Sequence, residues 1–92
     1  MEIESIRHKA LRKFAETGDA KGVMEPDRLR DMLAFIVAAG HFDELAVPPN
    51  FGFHALKGDR KGQWAMTIND QWRLVFAFKE GDAYDVEIVD YH

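Results

Sequence analysis

The stretch that decides the fold is QWAMTINDQWRLVFAFKEGDAYDVEIVDYH, which runs from Gln63 to His92. Its apolar residues recur at every second position. Trp64, Met66 and Ile68 share one parity, and Trp72, Leu74, Phe76 and Phe78 share the next. Tyr84, Val86 and Ile88 make a third row, with Asp85 and Glu87 between them for solvent. A period of two belongs to strands that bury one face. Asn69-Asp70 and Glu80-Gly81-Asp82 interrupt the rows with turn residues. Strands joined by links this short are antiparallel neighbours, so the pattern predicts a meander.

Upstream the period changes. Ile6, Ala10, Leu11 and Phe14 fall at helical spacing, and Gly18 ends that segment. Residues 2–5 suit either the opening of this helix or a short strand. A second helix starts at Pro26, with Asp27 in its first turn and Leu29, Met32, Leu33 and Ile36 as its buried stripe; Gly40 stops it. Val47-Pro48-Pro49-Asn50 is a loop, because two prolines exclude helix there. Two helices followed by several strands predict one α+β domain over residues 1–92, with the helices covering one face of the sheet.

Composition bounds the function. With 92 residues, seven Phe and two Trp, the chain can build one thin core. The absence of cysteine excludes a disulfide framework, a thiolate metal site and a thiol nucleophile. The start, Met1-Glu2-Ile3-Glu4, lacks the pattern of a signal peptide, and the apolar run from Met32 to Ala39 is too short to span a bilayer. A soluble cytoplasmic protein with no membrane association is expected. The formal net charge is −4, which excludes a global field that would steer the protein to nucleic acid. The charge is uneven, however. From His54 to Arg73 the cations Lys57, Arg60, Lys61 and Arg73 outnumber Asp59 and Asp70, so a local basic surface is possible.

Three features carry possible chemistry. The last apolar row continues into Asp90 and His92, two polar residues at core-face parity, with Tyr91 between them on the opposite face. Alone, that is what a solvated chain end looks like. His54 precedes Lys57-Gly58-Asp59-Arg60-Lys61-Gly62, a tight basic loop whose spacing is not that of a P-loop. Alone, it is an ordinary solvated hairpin. Arg73 opens a strand at the parity opposite to Trp72 and Leu74. The histidines at 8, 41, 54 and 92 lack metal-ligand spacing, and the one serine, Ser5, sits in no nucleophile elbow. No metal and no cofactor are expected. Together His54, Lys57, Arg73, Asp90, Tyr91 and His92 suit the splitting of an RNA phosphodiester. RNA carries its own nucleophile, the 2′-hydroxyl. The protein need add only a base, an acid and cations, and histidine serves as either base or acid near neutrality.

These residues also carry a resemblance. The stretch Phe53-His54-Ala55-Leu56-Lys57-Gly58-Asp59-Arg60-Lys61-Gly62-Gln63-Trp64 resembles the H-x-L-K-G-D-R-x-G-x-W motif of HigB-type toxins in the RelE/ParE superfamily. Ile68-Asn69-Asp70-Gln71-Trp72-Arg73-Leu74 is similar to their V-N-x-x-W-R-I segment, and Gly81-Asp82-Ala83-Tyr84 and Asp90-Tyr91-His92 complete the match in order and spacing. The first half is similar in length and helical pattern only. The resemblance implies a RelE-like fold: a short N-terminal strand and two helices packed on a mainly antiparallel sheet of four to five strands. It implies the toxin of a type II toxin–antitoxin system, which cleaves mRNA in the A site of the 70S ribosome and is neutralised by a HigA-like helix-turn-helix antitoxin. DNA is then met only through the antitoxin complex. It further implies that His54 and His92 share acid and base duties, that Lys57 and Arg73 hold the phosphate, that Asp90 orients His92, and that Tyr91 contacts the RNA. Arg60 and Lys61 are the accompanying RNA contacts. Where many relatives carry Ser-Ile-Arg after the tryptophan, Ala65-Met66-Thr67 stands here, with one cation fewer. Two other readings share this scaffold: a non-enzymatic gyrase poison of the ParE branch, and an inactive relative that only binds antitoxin.

Overall fold

The computed structural model describes residues 1–91. Helix α1 spans Lys9–Thr17. The Nδ1 atom of His8 accepts from the Leu11 amide at 3.0 Å and so caps its first turn. Gly18, at φ +81, closes it by donating its N–H to the Phe14 carbonyl. The helix thus begins after Ile6, and that residue does different work (below). Helix α2 spans Pro26–Ala38 and buries Leu29, Met32, Leu33 and Ile36, the stripe expected from its spacing. Burying a side chain of this size contributes roughly 1.5–3 kcal/mol.

The sheet has four strands among the described residues: β1 (His54–Ala55), β2 (Gln63–Thr67), β3 (Trp72–Lys79) and β4 (Asp82–Asp90). They lie in sequence order, each antiparallel to the next. Short 3-10 turns at Phe42–Ala46 and Gly58–Arg60 occupy the connections before β1 and β2. The β3–β4 hairpin turns on Glu80 (φ +50) and Gly81 (φ +87). Two consecutive positive φ values match the right-handed twist of the flanking strands.

Both helices pack on one sheet face. Leu11, Phe14, Leu29, Met32 and Ile36 meet Met66, Ile68, Leu74, Phe76, Val86 and Ile88 in a single cluster. The rows through Trp64 and Trp72 therefore face the helices, as their parity requires. The row in β4 departs from expectation. Val75 pairs with Glu87 but Ala77 pairs with Tyr84, so β4 carries one extra residue, and Asp85 sits at φ +54. This bulge inverts the parity upstream of it. Ala83, Val86 and Ile88 line the core, while Tyr84 turns to the other face, where the Lys79 ammonium lies 5.0 Å from its ring centre.

The N-terminal segment explains the bulge. Ile3 and Ile6 bridge Ala83 and Val86 in parallel. Hydrogen bonds run from the Glu4 amide to the Ala83 carbonyl and from the Arg7 amide to the Val86 carbonyl, both at 2.8 Å. The Asp85 amide, freed from the β3 ladder, donates to Ser5 Oγ at 2.8 Å. Residues 3–6 are therefore a short edge element beside β4 and not the start of α1, and Ser5 satisfies a backbone donor there. No helix among the described residues is long and apolar enough to cross a membrane.

Candidate active site

Directly opposed residues in antiparallel strands share a face. The register therefore puts His54, Ala65, Val75 and Glu87 in one row, and Thr67, Arg73 and Val89 in the next, on the face away from the helices. No helix among the described residues covers this second face, although Ala65 and Val75 on it are fully buried. On it lies a cleft of about 200 Å³, floored by Ala65, Val75 and Val89 and rimmed by Leu56, Lys57, Arg60, Arg73, Asp90 and Tyr91. A larger groove of about 730 Å³ runs along the helices, past Ile3, Phe14, Leu33 and Val37. Its lining carries one cation, Arg30, with Glu2 and Glu16, whereas the smaller cleft gathers the cations Lys57, Arg60 and Arg73.

Each rim residue is placed by local structure. His54 follows Phe53, whose ring stacks on Trp64 at 5.2 Å between centroids. That anchor on the core side turns His54 to the second face, beside Ala65. His54 is exposed, and its Nδ1 lies 2.7 Å from the Gly52 carbonyl oxygen. It does not line the cleft itself, although its pairing partner Ala65 does.

Lys57 is exposed at the cleft edge, and its ammonium group has no partner among the described residues. Arg60 is held on both sides. It donates to Gln63 Oε1 at 3.0 Å and approaches Glu87 Oε1 at 3.7 Å. Glu87 also meets Arg7 at 3.6 Å, and its side chain is only 18% exposed. It was expected to face solvent; instead it pins the basic loop to the sheet and offsets part of its charge. Lys61 is exposed and lies outside the cleft lining.

Arg73 is tied to the β2–β3 turn. Its Nη1 donates to the carbonyls of Asn69 at 2.6 Å and Trp72 at 3.2 Å. Its guanidinium carbon lies 4.2 Å from the centre of the Tyr91 ring. Its Nε is buried without a hydrogen-bond partner among the described residues. An unpaired buried donor costs roughly 1–3 kcal/mol. Tyr91 itself is half exposed, at 53%.

Asn69, read in the sequence only as a turn residue, and Gln71 organise this end of the sheet. Asn69 Oδ1 accepts from the amides of Gln71 and Trp72, both at 2.9 Å, which shapes the turn. Gln71 then grips β4 twice. Its carbonyl accepts from the Tyr91 amide at 2.6 Å, and its Nε2 donates to Asp90 Oδ2 at 3.3 Å. An Asx-type turn is readable at Asn69-Asp70, but its partnership with a strand twenty residues on is not. His92, expected beside Asp90, lies outside the described residues. Thr67 faces Arg73 across the β2–β3 pair, so a cation at position 67 would have shared the second face. Among the described residues no group of three or more His, Asp or Glu is arranged to hold a metal ion.

The cleft thus brings Lys57, Arg60, Arg73, Asp90 and Tyr91 together at one end of the sheet face away from the helices, with His54 on the same face beside it. The whole arrangement is that of a known class of folds. The structure of YafQ from E. coli strain BL21(DE3) superposes with a TM-score of 0.66 at 13% identity, covering 97% of this chain and 91% of that one. The solution structure of HP0894 from Helicobacter pylori, a conserved hypothetical protein, gives 0.51 at 17% identity over 99% and 94% of the two chains. At those identities the likeness defines the fold, which is RelE-like. Sequence goes further. Residues 4–92 match the family described as the RelE-like toxin of the type II toxin–antitoxin system HigB. The chain is 40% identical to the Endoribonuclease HigB of Proteus vulgaris, over 98% of this chain and 99% of that protein. The chain belongs to the HigB-like toxin family. Membership in a type II system implies an antitoxin as partner.

Proposed function

We propose that this toxin is an endoribonuclease that cleaves mRNA in the ribosomal A site without a metal ion, and that a HigA-like helix-turn-helix antitoxin neutralises it. The observation that carries this reading is the cleft on the face away from the helices. There, among the described residues, the Arg73 Nε is buried without a hydrogen-bond partner and the Lys57 ammonium is unpaired, beside Tyr91 and Asp90. The full-length likeness to a protein named for endoribonuclease activity supports it.

In this reading the 2′-hydroxyl of the RNA is the nucleophile. It loses its proton to one histidine as its oxygen bonds to phosphorus. The bond from phosphorus to the 5′-oxygen breaks, and that oxygen takes a proton from an acid. The products are a 2′,3′-cyclic phosphate and a 5′-hydroxyl end. His54 and His92 are the proton carriers, with Asp90 orienting His92. Each such transfer contributes about 10²–10⁴-fold. Lys57 and Arg73 meet the charge that builds on the phosphoryl oxygens. Tyr91, backed by Arg73 on one face of its ring, offers the other face to a base. Arg60 and Lys61 touch the strand further along. Because Glu87 offsets Arg60, local cations alone give weak capture of free RNA, which agrees with a substrate presented by the ribosome.

The test is expression in bacteria with the mRNA 5′ ends mapped. Growth arrest with new 5′ ends inside codons, both abolished by His92→Ala and by co-expressed antitoxin, is expected. Arrest with intact mRNA and accumulated DNA–gyrase cleavage complexes would replace this reading with that of a gyrase poison.

A further inference from the structure

We propose that the Gly52 carbonyl fixes the tautomer of His54, dedicating Nε2 to accepting a proton, so that Gly52 is a positioning residue for catalysis. A carbonyl oxygen only accepts hydrogen bonds. Its 2.7 Å contact with Nδ1 therefore requires the hydrogen to sit on Nδ1. A neutral imidazole has one N–H, so Nε2 then carries a lone pair. The inference rests on the ribonuclease reading for the source of the proton, and it makes His54 the base. Nε2 takes the 2′-hydroxyl proton as the oxygen–phosphorus bond forms. The departing 5′-oxygen is protonated by a separate acid, and His54, left as imidazolium, returns its proton to water.

The carbonyl is held still by its surroundings. Asn50 Oδ1 accepts from the Gly52 amide at 3.1 Å, and the Asn50 carbonyl accepts from the Phe53 amide at 2.9 Å. The Thr67 amide donates to the Phe51 carbonyl at 2.6 Å and fastens the loop to the end of β2. Phe53, stacked on Trp64, fixes the other side of His54. Position 52 needs glycine on two counts. Its φ is +69, and a Cβ there would lie 2.9 Å from Thr67 Oγ1. A side chain would push the loop, and with it the carbonyl, away from β2.

The decisive experiment is a long-range proton–nitrogen NMR correlation on the free protein at about pH 8.5, roughly two units above the ordinary imidazole value. His54 is expected with Nδ1 protonated and Nε2 bare; a majority protonated on Nε2 would overturn the proposal. This readout needs neither ribosome nor activity. Gly52→Ala should shift His54 toward the Nε2-protonated form and slow single-turnover cleavage on programmed ribosomes by about 10-fold or more, part of the range for a proton-transfer group. Half-saturation by ribosomes should stay unchanged. Gly52→Ala with Thr67→Ala removes the contact at Oγ1 and should recover part of the rate, whereas Thr67→Ala alone should leave it intact. A Gly52→Ala protein with wild-type tautomer and rate would also overturn the proposal. If Gly52→Ala does not fold, the wild-type tautomer still decides. Uncut mRNA with Nδ1-protonated His54 would remove the ribonuclease reading and leave the fixed ring standing.

Discussion

The Arg73 guanidinium sits over the Tyr91 ring, with its central carbon 4.2 Å from the ring centre. The contact joins a residue of β3 to the one that follows β4, and it makes the two act as a unit. Arg73→Lys keeps the charge but loses the guanidinium over the Tyr91 ring and its donation to the Asn69 carbonyl. It should reduce cleavage by about 10-fold or more, and Arg73→Ala by about 10²–10³-fold, the loss typical for a donor aimed at developing negative charge. Tyr91→Phe keeps the ring and should retain most activity, whereas Tyr91→Ala should not. Cleavage rates for the four proteins on programmed ribosomes check the order.

Asn69 and Gln71, in the β2–β3 turn, hold the same two residues through their backbone carbonyls. Asn69→Ala removes two hydrogen bonds within the turn, each contributing roughly 0.5–1.5 kcal/mol. Urea denaturation should show a loss of about 1–2 kcal/mol. Gln71→Ala leaves the backbone bond to Tyr91 and removes only the donor to Asp90. It should lower the cleavage rate by about 3- to 10-fold, the equivalent of one such bond, with little change in stability.

Much of this architecture is legible in the sequence, because one rule governs it. Trp72, Leu74 and Phe76 alternate, so their face is fixed, and Arg73 must point the other way. The same rule put Tyr91 opposite Asp90. It failed at Tyr84, since a single extra residue at Asp85 inverts parity and nothing local announces it. The cause is Ser5, eighty residues earlier, which supplies the partner that the bulged amide needs. Glu87 failed likewise: a strand acid reads as solvated until two arginines from distant segments close on it. Around the cleft, the parity of Arg73 and the basic loop from Lys57 to Lys61 were readable. The contact of the Gly52 carbonyl with His54 and the grip of Gln71 on β4 were not, because they run through backbone atoms or across a turn.

Phe53 links the core to the site, so its loss should be felt in both. It stacks on Trp64 and meets Phe42 edge-on at 5.6 Å. As the ring is half-buried, Phe53→Ala should cost up to about 3 kcal/mol, the low end for deleting a core phenylalanine. Phe53→Leu should cost less and keep more activity. Thermal melts and cleavage rates on the same preparations separate the two effects.

Glu44 gives a dependence on pH with a definite sign. Its carboxylate accepts from the backbone amides of Gly40 and His41, and these bonds hold it below its ordinary value of 4.5. A group depressed in the folded state stabilises above the unfolded value, and that contribution is lost as pH falls through the folded one. Glu44→Gln should therefore melt earlier than wild type at pH 7. The gap should close as the pH is taken below about 4. A gap that persists in acid would mean that charge is not the cause.

The most direct test of the central claim is single-turnover cleavage by the purified, antitoxin-free protein on ribosomes programmed with a defined mRNA. Free mRNA, His54→Ala and His92→Ala run alongside, with 5′ ends read by primer extension and no divalent metal available to the toxin beyond the ribosome's own magnesium. The account predicts cuts confined to the A-site codon, absent on free mRNA and reduced by about 10²-fold or more in either histidine variant. Intact mRNA, or cuts that survive both substitutions, would contradict it.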